Sequence, residues 1–313
     1  MNTMTAIYAP ALNISPRLAK NVRRNVKERV IEFILMLAAL SATFTTFAIV
    51  AILVYESLGF FKTVSLVEFF TGTEWTPLFE DAHYGIMPLI AGTLTTSAVA
   101  LLVAVPIGTI AAIYLSEFAS HKVREIVKPI LELLVGVPTV VFGFFALLFV
   151  TPLLQKIYPD LPGFNMLSAG IVMGVMIIPY IASVAEDAMR AVPMSMREGS
   201  YAMGATRFQT ALRVVTPAAI SGIVAAYILA ISRAVGETMV VAVAAGQQPN
   251  LTFNPVDSAA TITAYIVQVA MGDLPHGSVG YQSIFAAGLV LFAMTLIFNI
   301  IGHIVRKKYR EQY

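Results

Sequence analysis

Two side chains of opposite charge lie inside a long apolar stretch of the sequence. Arg233 and Glu237 occur in ISRAVGETMVV at 231–241, within a run that extends from Ala218 to Ala245. A charged residue at the centre of a bilayer costs about 2.5 to 3.5 kcal/mol on insertion scales. In a continuous helix their four-residue spacing places both on one arc, so we expect them to face protein or a water-filled path.

Two interpretations of the pair remain open. It is a structural ion pair, or Arg233 binds an anion in transit and Glu237 competes for the guanidinium so that the anion can leave. Arginine stays charged and presents forked donors that match phosphate-like oxygens. Because an ion pair adds no clear stability over apolar packing, we favour anion passage.

Hydroxyl side chains occur within another apolar run. Thr95, Thr96 and Ser97 could supply neutral donors to the same path, with Thr93 beside them. Polar groups that only hold helices together look identical in sequence. Both interpretations of these hydroxyls therefore stay open.

Other chemistry lacks the residues it needs. The chain has no cysteine, and its four histidines show no metal-binding spacing. No phosphate-binding loop of the GxxxxGK[ST] type occurs, so we expect no ATP hydrolysis by that route. We predict no catalytic residue, no metal site and no cofactor held by this chain.

The composition is that of a membrane protein. Hydrophobic residues make up 58% of the 313 residues and charged residues 12%, against about 25% charged in an average soluble domain. A span needs about 20 apolar residues. This rule predicts an all-α protein with six transmembrane helices, at about 31–55, 90–115, 130–150, 167–185, 218–245 and 284–305. The apolar segment at 259–272 is too short and fits a re-entrant or interfacial helix.

Basic residues predict the orientation of these spans. With both termini in the cytoplasm, 17 of the 20 Lys and Arg residues fall in inside segments, as the positive-inside rule requires. This gives an N-in, C-in protein with a basic cytoplasmic segment at 1–30, a peripheral first helix at 31–55, an extracytoplasmic segment at 56–89 and a basic tail at 306–313. Residues 17–30 form either a basic helix along the inner leaflet or a solvated tail.

Small residues and prolines set helices 2 to 6 apart from the first helix. Gly222, Ala226, Ala230 and Ala234 recur at four-residue steps, which lets membrane helices approach closely. Four prolines inside or near the spans predict broken or kinked helices that line a cavity; these are Pro106, Pro129, Pro138 and Pro179. We therefore predict a transport core at 90–305.

The loop between the fourth and fifth spans, at 188–216, predicts two short helices joined at a glycine. Ser195 with Glu198, and Thr206 with Gln209, have the spacing of capping boxes. Gly204 lies between them as a turn residue. Glu198 is either only such a cap or part of a contact surface.

This loop resembles the EAA loop of ATP-binding-cassette (ABC) importer permeases. Glu198, Gly204 and Pro217 match the pattern, whereas Gly199 and Ser200 replace its two alanines and Thr216 its leucine. The stretches PIGTIAAIYLSEFA, GVPTVVFGFFAL, IIPYIASVAEDAMRAVP and SRAVGETMVVAVAAG resemble the phosphate-specific importer, its C-type permease subunit in particular.

The resemblance implies a type I importer permease of the bacterial inner membrane. It implies that a coupling helix docks on an ATPase, through Glu198, Gly199, Ser200, Ala202, Gly204 and Ala205, and that Arg233 and Glu237 act in phosphate passage. The implied partners are a sister permease, an ATPase dimer that binds ATP and Mg, a phosphate-binding protein, phosphate and lipid, with no nucleic acid.

Other functions remain as alternatives. The chain could be a sulfate, molybdate or tungstate permease, or the A-type phosphate subunit, because the coupling loop does not identify the anion. In a proton-coupled secondary transporter, Glu237 would carry the proton, but the inverted repeat typical of that class is not evident. A non-transporting sensor is the remaining class.

Overall fold

The computed structural model describes residues 22–79, 81–275 and 277–308, and this part of the chain is nearly all helical. The first seven helices are α1 (Val22–Phe60), α2 (Leu66–Thr71), α3 (Met87–Ile113), α4 (His121–Val135), α5 (Thr139–Phe145), α6 (Thr151–Gln155) and α7 (Met166–Arg190). The rest are α8 (Met194–Ala202), α9 (Arg207–Thr210), α10 (Thr216–Ala218), α11 (Ile220–Gly236), α12 (Met239–Ala244), α13 (Ile262–Gln268) and α14 (Val279–Lys308).

Single wide turns of π-helix extend or join several of these helices. They lie at Tyr114–Phe118 after α3, Ala146–Val150 between α5 and α6, Ala211–Val215 between α9 and α10, and Val269–Asp273 after α13. Such turns are often found at functional sites. The turns at Ala146–Val150 and Ala211–Val215 join consecutive helices, whereas Gly272 in the last turn has a non-helical φ of 112°.

Four of the described helical stretches are long and apolar enough to cross a membrane. They are Lys27–Phe60, Met87–Phe118, Met166–Arg190 and Val279–Lys308. Two further pairs qualify only if each bent pair is a single span. The pair His121–Val135 and Thr139–Gln155 bends by 88°, and the pair Arg207–Ala218 and Ile220–Gly236 by 73°. The described part thus has four candidate spans, or up to six.

Two of the six expected spans are broken in the structure. The break near Pro138 agrees with the prediction of broken helices at prolines, whereas the break after Gly236 corrects the continuous helix assumed for Arg233 and Glu237. The run at 130–150 divides after Val135, and Pro138 caps α5 in an extended conformation. The run at 218–245 divides after Gly236. Proline cannot donate to the preceding turn and glycine is a weak helix former, so the breaks fall where local chemistry allows them.

The remaining expectations mostly agree with the described helices. The segment at 259–272 contains a short apolar helix, α13 with its extension, and not a long span. The described part of the basic N-terminal segment is continuous with the first span, because α1 runs from Val22 to Phe60. Residues 1–21 and 309–313, which hold most of that segment and most of the basic tail, lie outside the described residues.

The chain divides into two compact units. One extends to Ile52 and contains most of α1. The other begins at Leu53 and contains α2 to α14. The candidate site lies entirely in the second unit.

The core of the second unit forms where α7 packs against α3 and α11 at very short range. A Cβ added at Gly170 would lie 2.6 Å from Val99 Cβ, and one at Gly108 would lie 2.8 Å from Ile181 Cβ. On α11 a Cβ at Gly222 would lie 2.2 Å from Ala188 Cβ, and Ala226, Ala230 and Ala234 are buried. The predicted stripe of small residues is therefore confirmed as a packing surface.

An aromatic cluster closes the other end of this unit. Phe60, Phe69, Trp75 and Tyr84 make edge-to-face contacts, and Trp75 also meets Tyr265 of α13 with ring centroids 5.0 Å apart. Each such ring pair contributes about 0.5 to 1.5 kcal/mol of stability beyond the contribution of the area it buries. The cluster fixes the segment between α1 and α3 against α13.

Candidate functional site

Arg233 lies in the last turn of α11 and faces α7. Its Cζ lies over the ring of Tyr180, 4.7 Å from the ring centroid. Its Nε is buried and has no hydrogen-bond partner. Within the described part of the chain, Arg233 makes no ion pair and no side-chain hydrogen bond. The guanidinium therefore keeps its donors available next to an aromatic face.

Glu237 lies beyond the end of α11, in extended backbone with φ −66° and ψ 134°. Glu237 is only 7% exposed. Oε1 accepts hydrogen bonds from the backbone N–H groups of Met239 at 3.2 Å and Val240 at 3.5 Å. The carboxylate is thus used at the start of α12, where backbone donors and the helix dipole favour a negative charge.

The expectation that Arg233 and Glu237 share one arc of a continuous helix is wrong. The helix ends at Gly236, and the backbone carbonyl of Glu237 accepts a hydrogen bond from Thr263 Oγ1 at 2.7 Å instead of one from the next turn. This bond joins the break to α13. The structure therefore contains no Arg233–Glu237 ion pair among the described residues.

The predicted hydroxyls of α3 fall into two groups. Thr93 and Thr96 donate to carbonyls of their own helix, and Thr93 also accepts from Ile262 N–H at 3.0 Å. Thr93 thereby joins α3 to the start of α13, whereas Thr96 bonds only within α3. Thr95 and Ser97 are 8% and 4% exposed, and their hydroxyls bond to no other described residue. No hydrogen bond joins Arg233 to any of the four.

The loop at 188–216 contains the expected two short helices separated by a glycine. Gly204 has φ +83°, in the left-handed region that favours glycine, and it separates α8 from α9. Thr206 and Gln209 form the predicted capping box at α9. The box predicted at Ser195 and Glu198 is absent, because α8 begins directly after Pro193 and Ser195 lies inside it.

The loop residues predicted to dock an ATPase are largely on the surface. Glu198, Gly199, Ala202 and Gly204 are exposed and Ala205 is half-buried, whereas Ser200 Oγ bonds to Thr210 Oγ1 at 2.9 Å. Two large apolar side chains that the sequence did not single out lie beside them. Met203 is 89% exposed and Phe208 is 62% exposed.

A buried arginine that sequence reasoning missed anchors α8. Arg197 bonds to both carboxylate oxygens of Glu117, at 2.9 and 3.3 Å, and to the carbonyls of Met189 and Val192. Arg197 is 8% exposed. Bidentate pairs of this type are strong and directional. Because the two residues are 80 positions apart, the sequence holds no local signal of their contact.

A second missed group joins α4 to α7. Glu186 is fully buried, and its carboxylate lies 2.7 Å from Arg124 Nε and 2.9 Å from Lys128 Nζ. The Arg124 contact is an ion pair at an angle outside that of a hydrogen bond. A third cation, Arg190, lies 3.8 Å away. Since α4 has no fully buried residue, this charge cluster carries much of its attachment.

Comparisons with known proteins place this architecture among transport proteins. The profile of the family described as binding-protein-dependent transport system inner membrane component matches residues 104–311. A probable ABC transporter permease protein YqgH of Bacillus subtilis is 38% identical over 238 residues, covering 76% of this chain and 77% of that protein.

Relatives named for phosphate transport cover similar lengths. The phosphate transport system permease protein PstC 1 of Mycobacterium tuberculosis is 36% identical, covering 79% of this chain and 83% of that protein. The phosphate transport system permease protein PstC of Haemophilus influenzae is 31% identical, with 87% and 92% covered.

A solved structure shares the fold. A bacterial alginate ABC transporter in complex with an alginate-bound periplasmic protein contains a chain that matches with a TM-score of 0.63 and 17% identity. The match covers 94% of this chain and all of that chain. At this identity the likeness establishes the fold, that of an ABC importer permease.

Proposed function

The chain belongs to the binding-protein-dependent transport system inner membrane component family, and on that basis we propose that it is a permease subunit of an ATP-driven inorganic phosphate importer. It is a multi-pass protein of the inner membrane. The observation that carries the proposal is its similarity to phosphate transport permeases over most of both chains. As a permease subunit, it forms part of the path and does no chemistry itself.

Arg233 recognises the anion in this proposal. Its buried Nε lacks a partner, and a guanidinium offers several N–H donors in a fixed plane that suits phosphate oxygens. An unpaired buried donor is unfavourable until a ligand accepts from it. Phosphate in transit would satisfy these donors for the time it resides there.

The break after Gly236 gives Glu237 its own function. Its carboxylate is engaged with the first N–H groups of α12, so it does not compete for Arg233 in this conformation. A change in the break that withdrew Glu237 from α12 would free it to approach the guanidinium. In that order of events, the carboxylate assists release of the anion after the helices rearrange.

Energy for the rearrangement comes from partner subunits. We assign ATP and Mg to a dimeric ATPase that docks on the exposed residues of α8 and the following turn, including Glu198, Ala202 and Gly204. The Arg197–Glu117 pair ties this surface to α3 and would pass on its displacement. A sister permease completes the path, and an extracytoplasmic binding protein delivers phosphate.

Reconstitution tests the proposal. The chain is placed in proteoliposomes with its sister permease, ATPase and binding protein, and entry of labelled phosphate is measured with and without ATP. We expect accumulation that requires ATP, survives a proton ionophore and is not displaced by sulfate, molybdate or tungstate. Uptake that persists without ATP and collapses with the proton gradient would identify a secondary transporter instead.

A further inference from the structure

We propose that Tyr180 is a positioning residue for the anion site, which holds the Arg233 guanidinium in place through its ring face. The inference rests on the proposed function, since it concerns how the same arginine meets phosphate. It starts from three observations: the ring lies under the guanidinium, the buried Nε has no partner, and Glu237 is engaged at α12.

An aromatic ring can hold a guanidinium in place because it contacts the face of the group and not its N–H donors. The ring quadrupole attracts a cation above its face, whereas the hydrogen-bond donors of arginine point outward in the guanidinium plane. A carboxylate would stabilise the charge by taking those donors. Tyr180 stabilises the charge and leaves the donors to the anion.

The backbone holds Tyr180 rigidly enough to act in this way. It follows Pro179, which is buried inside α7, and α7 meets α11 through the close contact of Gly222 with Ala188. Two helices packed at this distance fix the separation of the ring and the guanidinium.

A small, mostly apolar cavity adjoins Tyr180. Tyr180 lines a cavity of about 180 Å³ between α4 and α7, together with Leu131, Glu132 and Ser183. The ring therefore forms part of a cavity wall and is not sealed inside the helix contact. Glu132 is the acidic group in that lining, so the cavity itself is not predicted to hold the anion.

The test separates the electrostatic character of the ring from its shape. Tyr180→Phe is the reference, and Phe at position 180 is replaced by its mono-, di- and trifluoro analogues through nonsense suppression, because fluorine weakens the negative ring face with little change in shape. We expect Tyr180→Phe to stay within about twofold of the wild type. Phosphate uptake should fall stepwise to a loss of about tenfold, which corresponds to about 1.4 kcal/mol.

Tyr227 supplies the matched control. It lies on α11, packs among apolar side chains and bonds through its hydroxyl to Thr109, and no cation lies over its ring in the described part of the chain. The same fluorinated series on Tyr227→Phe should leave phosphate uptake unchanged. Co-purification of the partner subunits should be unchanged in both series.

The outcomes distinguish this proposal from the function beneath it. If phosphate uptake stayed the same across the fluorinated series at position 180, in complexes that do accumulate phosphate, the positioning role would be overturned and the proposed function would stand. A wild-type complex that accumulates no phosphate would overturn the proposed function first. Failure of Tyr180→Phe itself would show that the hydroxyl matters and would overturn the role of the ring face.

Discussion

Arg233 and Glu237 act as separate groups in this structure, although they are only four positions apart in the chain. The guanidinium lies on a tyrosine ring, and the carboxylate accepts from two backbone amides. Each charge is thus stabilised without the other. The arginine keeps hydrogen-bonding capacity for a ligand, which a closed ion pair would have consumed.

Replacing Arg233 tests the site directly. Arg233→Ala removes the charged donors, and because charge-assisted hydrogen bonds contribute about 1.5 to 3 kcal/mol each, we expect phosphate uptake to fall by more than tenfold. Arg233→Lys keeps the charge but loses the fork and should be intermediate. Assembly and ATP turnover should remain measurable. Lys62→Ala, an equal charge change at an exposed position, is the control, and normal uptake by Arg233→Ala would contradict the site.

At the scale of elements, buried ion pairs between helices hold two of the shorter helices in place. α8 is held by the buried Arg197–Glu117 pair, and α4 is held by the charges around Glu186. A bidentate pair of arginine and carboxylate adds geometric specificity to the packing of the helices. These pairs therefore help to hold α8 against the turn that follows α3, and α4 against α7.

Gly204 sets the angle between α8 and α9. Its φ of +83° is open to glycine, and an added Cβ would meet nothing within 4 Å, so a substitution acts through the backbone alone. A β-branched residue there is strained by about 1 to 3 kcal/mol. We expect Gly204→Val to uncouple ATP hydrolysis from uptake or to release the ATPase.

The control for this prediction is Gly204→Asn, because asparagine adopts positive φ more readily than other residues. It should retain most of the coupling. Measurement of phosphate taken up per ATP hydrolysed compares the two variants. Unaltered coupling in Gly204→Val would exclude a docking role for this turn.

Glu186 and Asp187 form a matched pair for testing the attachment of α4. The Glu186 side chain is 1% exposed and that of Asp187 is 60% exposed, yet both contact Lys128. Removing one member of a buried ion pair costs about 3 to 5 kcal/mol, whereas an exposed pair contributes about 0 to 1 kcal/mol. Glu186→Gln should therefore lower the thermal unfolding temperature of the purified complex clearly, and Asp187→Asn should not. Equal shifts would contradict the account.

For the whole molecule, the distribution of basic residues makes a prediction about sidedness. The N-in, C-in orientation places the segment between α1 and α3 outside and the segment between α3 and α4 inside. Because the chain has no cysteine, single introduced cysteines report their side without a background signal. This orientation follows from the sequence alone.

Thr73→Cys and Lys122→Cys measure the orientation. Both positions are exposed. A membrane-impermeant maleimide should label Thr73→Cys in intact spheroplasts and Lys122→Cys only after the membrane is opened. The reverse pattern would overturn the predicted orientation.

The sequence by itself determined the class of protein and most candidate spans. It also predicted Arg233 and the loop around Gly204 as parts of the candidate site. Apolar runs of about 20 residues have one stable solution in a bilayer, so α3, α7 and α14 follow from composition. The αL turn at Gly204 and the Thr206 box follow from local backbone chemistry. Arg233 was found because a charge in an apolar run is rare.

Only the tertiary structure decided which partners these groups take. The carbonyl of Glu237 at the break accepts a hydrogen bond from Thr263, 26 residues later, and the contacts of Arg233 with Tyr180 and of Arg197 with Glu117 join residues distant in the chain. Local patterns encode helix formation because its hydrogen bonds are local. Contacts between helices depend on the packing of the whole unit, which a periodic pattern does not contain.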